Sequence, residues 1–109
     1  MDTMLNDVAA IDADERKATR FEGRLPCRLD ADGAAWVCWL RDLSTDGAAV
    51  EPPMPALLGR DVTLDSDDFP FDRPLAGRVV NVAERRTCIA FDLAPQTKTA
   101  LRAFIDDNS

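Results

Sequence analysis

Histidine is absent from this 109-residue chain, and with it the commonest general base and metal ligand. A small enzyme would need a carboxylate pair, or a cysteine nucleophile with its base, in a cleft. Catalysis is therefore the least supported function, and no catalytic residue, metal site or cofactor is assigned. The three cysteines, Cys27, Cys38 and Cys88, form an odd set without C-x-x-C spacing, each in an apolar segment. That pattern fits buried free thiols in a reducing cytoplasm better than a redox or metal role. No apolar run approaches the roughly 20 residues that cross a bilayer. The leader MDTMLNDVAAIDADE carries acidic residues where a secretory signal carries positive ones. These absences describe a cytoplasmic domain with no membrane insertion. Excess positive charge is missing too. A net charge of −7, without a basic stripe interleaved with aromatics, argues against a nucleic acid partner. Neither an internal repeat nor a low-complexity stretch breaks the chain into modules.

What is present suffices for one ordinary domain with one core. Residues 1–15 hold five acidic side chains and read as a tail, with Met4, Leu5, Val8 and Ile11 on one face if the segment is helical. From Arg24 the pattern turns to period two, with Leu25, Cys27 and Leu29 on one side and Arg24, Arg28 and Asp30 on the other, as in a half-buried strand. DADG at 30–33 reads as a hairpin connection into a second strand, AAWVCWLRDL, whose Trp36 and Trp39 lie on opposite faces. Both tryptophans are read first as structural, with one of them a candidate to line a ligand cleft. AAVEP is a short third strand stopped by prolines, and the Val62 and Leu64 alternation marks a fourth, ending near Asp65. SDDFPFDRP is an acidic loop; LAGRVVNVAE and TCIAFDL are strands five and six. Pro95 suits a first helical turn, and Leu101, Phe104 and Ile105 share a face of a closing helix of about three turns. Six short strands and one terminal helix predict a mainly β chain, a small antiparallel barrel whose closure removes exposed edges.

Two local patterns are unusual. RKATRF places Arg16 and Arg20 four positions apart just before the first strand, and RDLSTDG places Asp42, Ser44 and Gly47 where the second strand ends. Alone, the arginines read as a solvated pair answered by Glu15 and Glu22. The Asp and Ser alone read as turn caps, and Gly47 as a positive-φ position. Together, Arg16-x-x-x-Arg20 and Asp42-x-Ser44-x-x-Gly47 resemble the PilZ domain, a bacterial receptor family for cyclic di-GMP. The resemblance runs from about Arg16 to the C-terminal helix, and includes the softer stretches LPCRL, LLGRDVTL, LAGRVV and IAF.

The resemblance implies a tail at 1–15 and a six-stranded barrel domain over 16–109. It implies a cyclic di-GMP site at Arg16, Arg20, Asp42, Ser44 and Gly47, and roles in motility, adhesion or biofilm control through an unknown downstream protein partner. The chemistry fits: arginine forks meet phosphate or the purine O6/N7 edge in bidentate fashion and stack on purine faces. An ionised Asp42 accepts from a guanine N1/N2 edge, Ser44 donates, and Gly47 admits close backbone approach. On this reading the segment from Arg16 to Phe21 is mobile when free and closes over the bound nucleotide. Glu15 stands where the family often has another arginine, Asp46 adds a negative charge to the turn, and Cys88 replaces a common glycine. These features keep open a protein-interaction adaptor that binds no nucleotide.

Overall fold

A computed structural model of the protein describes residues 20–108, and Arg20 through its backbone alone. The expected tail at 1–15 and Arg16 lie outside the described residues. Six strands form a closed antiparallel barrel: β1 (Arg20–Ala31), β2 (Ala34–Ser44), β3 (Gly47–Glu51), β4 (Asp61–Asp65), β5 (Leu75–Val82) and β6 (Thr87–Phe91). Around the barrel the order is β1-β2-β3-β6-β5-β4, and β4 returns to β1 through the pairs Arg28↔Asp65, Leu29↔Leu64 and Asp30↔Thr63. Every strand therefore has two neighbours, so the sheet has no open edge. Asp32 and Gly33, at φ 53° and 84°, make the β1–β2 turn, the positive-φ pair of a tight hairpin whose twist matches its strands.

The core follows the alternation. Leu29, Leu40, Leu43, Val50, Leu64, Leu75 and Val79 are wholly buried inside the barrel. Such side chains contribute roughly 1.5–3 kcal/mol each on burial. Helix α1 (Pro95–Asn108) closes the core with Leu101, Phe104 and Ile105, residues three and four apart on one helical face. The loop before β5 is more than the acidic connection expected of it. Phe69 is buried, and its ring lies 5.3 Å from that of Phe71 and 5.4 Å from that of Phe104, centroid to centroid. Its two phenylalanines join the loop to the helix.

β1 begins at Arg20, four residues before the alternation announces it. Arg20 is registered with Ser44, Phe21 with Leu43 and Glu22 with Asp42. The part of the supposedly mobile segment that is described, Arg20 and Phe21, is thus strand, because β2 is long enough to supply it with partners.

The sheet also departs from strict alternation at one level. The inward residues Leu40 and Leu43 of β2 face Val50 and Ala48 of β3 on one side, and Leu25 and Phe21 of β1 on the other. The same span of sheet takes two steps on β3, three on β2 and four on β1. Irregularities at Arg41 and at Gly23–Arg24 absorb the difference. An inserted residue reverses which face each later side chain occupies. Leu43 thereby rejoins the core, while Asp42 and Ser44 remain only half-buried.

Two positions test this architecture. Gly47 is not at positive φ, contrary to the turn reading; a Cβ there would collide with the carbonyl oxygen of Ile89 on the neighbouring β6. Gly47→Ala should lower the stability to urea by about 2–3 kcal/mol, as overpacking does, and weaken amide protection along β3–β6. Gly33→Ala meets no atom within 4 Å and pays only for its φ of 84°, about 1 kcal/mol. Thr87, wholly buried, accepts a hydrogen bond from the Met54 amide at 2.7 Å and donates to the Pro52 carbonyl at 3.2 Å. Thr87→Val keeps the shape and strands both backbone groups, so urea unfolding should show a loss of about 2 kcal/mol.

Candidate functional site

The register of β1 against β2 brings the ends of the two sequence patterns together. Arg20, last residue of the arginine pattern, pairs with Ser44, and the next outward pair is Glu22 with Asp42. Directly opposed like charges disfavour a strand pair, and the register sets Glu22 and Asp42 against each other at this end of the hairpin. Arg16 is outside the described residues, and so is the Arg20 side chain.

The turn that follows is held by its own side chain. Ser44 Oγ accepts from the Asp46 and Gly47 amides, each at 3.2 Å, and its hydroxyl lies 3.4 Å from the Gly47 carbonyl. This is the local capping that Ser favours at turns. The Asp46 carbonyl, in turn, accepts from the Phe91 amide at 2.8 Å. The turn is therefore bonded to the far end of β6. Gly47 adds the close approach to Ile89 described above, so its small size serves the barrel wall, and its amide is already engaged by Ser44.

Below Asp42 the outer face carries features that no spacing rule singled out. Trp36 sits half-buried against the core, whereas Trp39 stands 39% exposed on the outer face with the Arg24 guanidinium 4.3 Å from its ring centre. A guanidinium over an indole face is a cation–π contact. Trp39 is thus the outward of the two tryptophans, three residues before Asp42. Arg41, the extra residue of β2, reaches Glu51 on β3 at 3.5 Å, and its Nε is buried with no hydrogen-bond partner among the described residues. The visible clue to this region was the pair Leu40 and Leu43, whose three-residue spacing breaks a period of two.

Other arginines are committed to the barrel wall. Arg28 pairs with Asp65 at 3.1 Å across the closing seam, Arg78 with Asp61 at 3.0 Å between β4 and β5, and Arg60 with Asp32. A groove of about 640 Å³ lies between the loop at 70–73 and α1, lined by Phe71, Arg73, Ala100 and Phe104 among others. None of Asp42, Ser44 and Gly47 lines it, so the Asp-x-Ser-x-x-Gly pattern and the groove mark different places. Asp42 and Ser44 lie half-buried on the outer strand face, away from that groove. Among the described residues no helix is long and apolar enough to cross a membrane.

Comparison with known proteins agrees with this architecture. The PilZ domain profile matches residues 14–107. The crystal structure of the PilZ domain of CeSA from a cellulose synthesizing bacterium superposes with a TM-score of 0.65 at 20% identity, over 79% of this chain and 93% of that one. The Borreliella burgdorferi PlzA protein, solved in complex with c-di-GMP, gives a TM-score of 0.52 at 18% identity, over 89% of this chain and 45% of that longer one. No curated protein sequence matches significantly. With the profile spanning nearly the whole barrel and its helix, the chain belongs to the PilZ domain family, a c-di-GMP-binding family.

Proposed function

We propose that this protein is a cyclic di-GMP receptor that binds the dinucleotide through Arg16 and Arg20 on one side and Asp42, Ser44 and Gly47 on the other. The observation that carries the reading is the register Arg20↔Ser44, which makes two patterns more than twenty residues apart into neighbours. The division of labour follows from chemistry. Arg16 and Arg20 supply planar, permanently charged forks for phosphate and for the guanine O6/N7 edge. Asp42 accepts from guanine N1 and N2, as only an ionised carboxylate does with both oxygens. Ser44 organises the turn and offers its hydroxyl proton, and Gly47 keeps the turn close to β6.

Signalling in this reading is a population shift: the ligand favours whichever arrangement of the segment before β1 closes over it. That change repositions residues 1–15 or uncovers a barrel surface for a downstream protein partner, in motility, adhesion or biofilm control. No step is catalytic, and the protein acts in the cytoplasm.

Titration calorimetry with cyclic di-GMP tests the assignment. Arg20→Ala should weaken binding by about 2–5 kcal/mol, as removal of one member of a buried charged contact does. Asp42→Asn, which keeps the shape and removes the charge, should cost about 1.5–3 kcal/mol. Urea unfolding of each variant separates an effect on the fold from an effect on binding. Unchanged affinity in Arg20→Ala removes that residue from the site. No heat and no chemical-shift change at high micromolar ligand leaves the adaptor reading, which Glu15 and Asp46 favour.

A further inference from the structure

Cys27 and Cys38 are directly opposed across the β1–β2 ladder, and their sulfurs lie 3.1 Å apart. Both are free thiols, 5% and 2% exposed, on the inward side of their strands. Directly opposed antiparallel residues hold their Cα atoms about 4.5 or 5.5 Å apart, and both separations fall inside the usual disulfide range of about 4.4–6.8 Å. Closing from 3.1 Å to a bond of about 2.05 Å asks for about an ångström of side-chain motion. Tight inward packing of two thiols is ordinary; two thiols placed in register with their sulfurs in contact is a preformed dithiol.

From this juxtaposition we infer that Cys27 and Cys38 form an oxidation site that takes a small hydroperoxide and becomes a cross-strand disulfide. In the first step the Cys38 thiolate attacks hydrogen peroxide: an S–O bond forms, the O–O bond breaks, and the departing hydroxide takes the thiol proton as water. In the second, the Cys27 sulfur attacks the Cys38 sulfenic sulfur. The S–S bond forms, the S–O bond breaks, and the Cys27 proton leaves with the oxygen as a second water. Two thiols lose two electrons and one peroxide gains them. The hydrogen bond shared by the two sulfurs favours the thiolate of its acceptor, and either sulfur can be that acceptor; the backbone hydrogen bond at Leu29 favours Cys38 in that role. Burial selects the oxidant by size, since hydrogen peroxide is close to water in bulk. Cys88, half-buried, serves as an internal control.

The test is made on the full chain carrying Cys88→Ser, treated with hydrogen peroxide while folded, then denatured, alkylated with N-ethylmaleimide and weighed. The expected product takes up no maleimide and weighs about 2 Da less than the reduced chain. Non-reducing digestion should yield the Cys27 and Cys38 peptides linked, and reduction should restore two alkylation sites. The oxidised form should unfold at a higher urea concentration than the reduced one, because the bond constrains the unfolded chain. The proposal is overturned if both thiols stay alkylatable at a peroxide dose that fully oxidises Cys88 in the parent, or if mass is gained as added oxygen without a linked peptide. Should Cys88→Ser fold poorly, peptide mapping of the parent chain reads the same linkage, and a crosslink from Cys88 instead would equally sink it.

Discussion

The extra residue at Arg41 is the constraint on which the site depends. In a strand of strict period two, Leu40 inward means Asp42 inward, Leu43 outward and Ser44 inward. Two leucines would then compete with an aspartate and a serine for the core, and burying an unpaired carboxylate costs far more than exposing a leucine. The irregularity resolves the conflict, keeping Leu40 and Leu43 both wholly buried and leaving the polar pair outside. The fan of two, three and four steps across β3, β2 and β1 spreads the adjustment over three strands, so no single strand is sharply broken. A one-residue change in register here would return Asp42 and Ser44 to the interior and abolish the face that carries them.

The fold was legible in the chain to the extent that its signals are local. Cys27 and Leu29, or Leu101, Phe104 and Ile105, reveal strand and helix because the burial pattern is written in neighbouring residues. Closure of β4 onto β1 follows less directly, from the number of strands and the penalty on open edges. What escaped was non-local. β1 starts at Arg20 because β2 offers Ser44 and Leu43 as partners, although Phe21, Gly23 and Leu25 show no clean alternation of their own. Phe69 and Phe71 sit in a segment rich in Asp and Pro, and only the helix arriving from the end of the chain gives them a place to pack. Of the site, the identity of the residues was readable from the two patterns, whereas the local engagement of Ser44 and the contact that requires Gly47 depend on where β6 runs.

Charge is used economically on this acidic surface. Arg28, Arg60 and Arg78 are matched to carboxylates on adjacent strands or turns. Exposed pairs of this kind contribute little stability, with a median of about 0–1 kcal/mol, and their main effect is to cancel local charge. Arg24 is set apart, its charge directed at an indole face. A chain of net charge −7 does not attract a dianionic ligand by its overall field. At physiological salt that field is screened beyond about 8 Å. Recognition of such an anion has to come from a few arginines within contact distance, and composition alone is blind to them.

The turn from Ser44 to Gly47 is wired into the barrel at several points: two amides on the Ser44 hydroxyl, the Asp46 carbonyl on the Phe91 amide, and Gly47 against the Ile89 carbonyl. A segment held this way is a poor candidate for a moving flap, since shifting it would break ladder bonds to β6 together with the cap. It is a fixed platform. Asp42, one strand residue earlier than Leu43 and half-buried, is positioned by that platform. In the proposed mechanism, therefore, the barrel face that carries Asp42 and Ser44 is the fixed part. Substitutions at Ser44 and Gly47 act on stability before they act on any ligand.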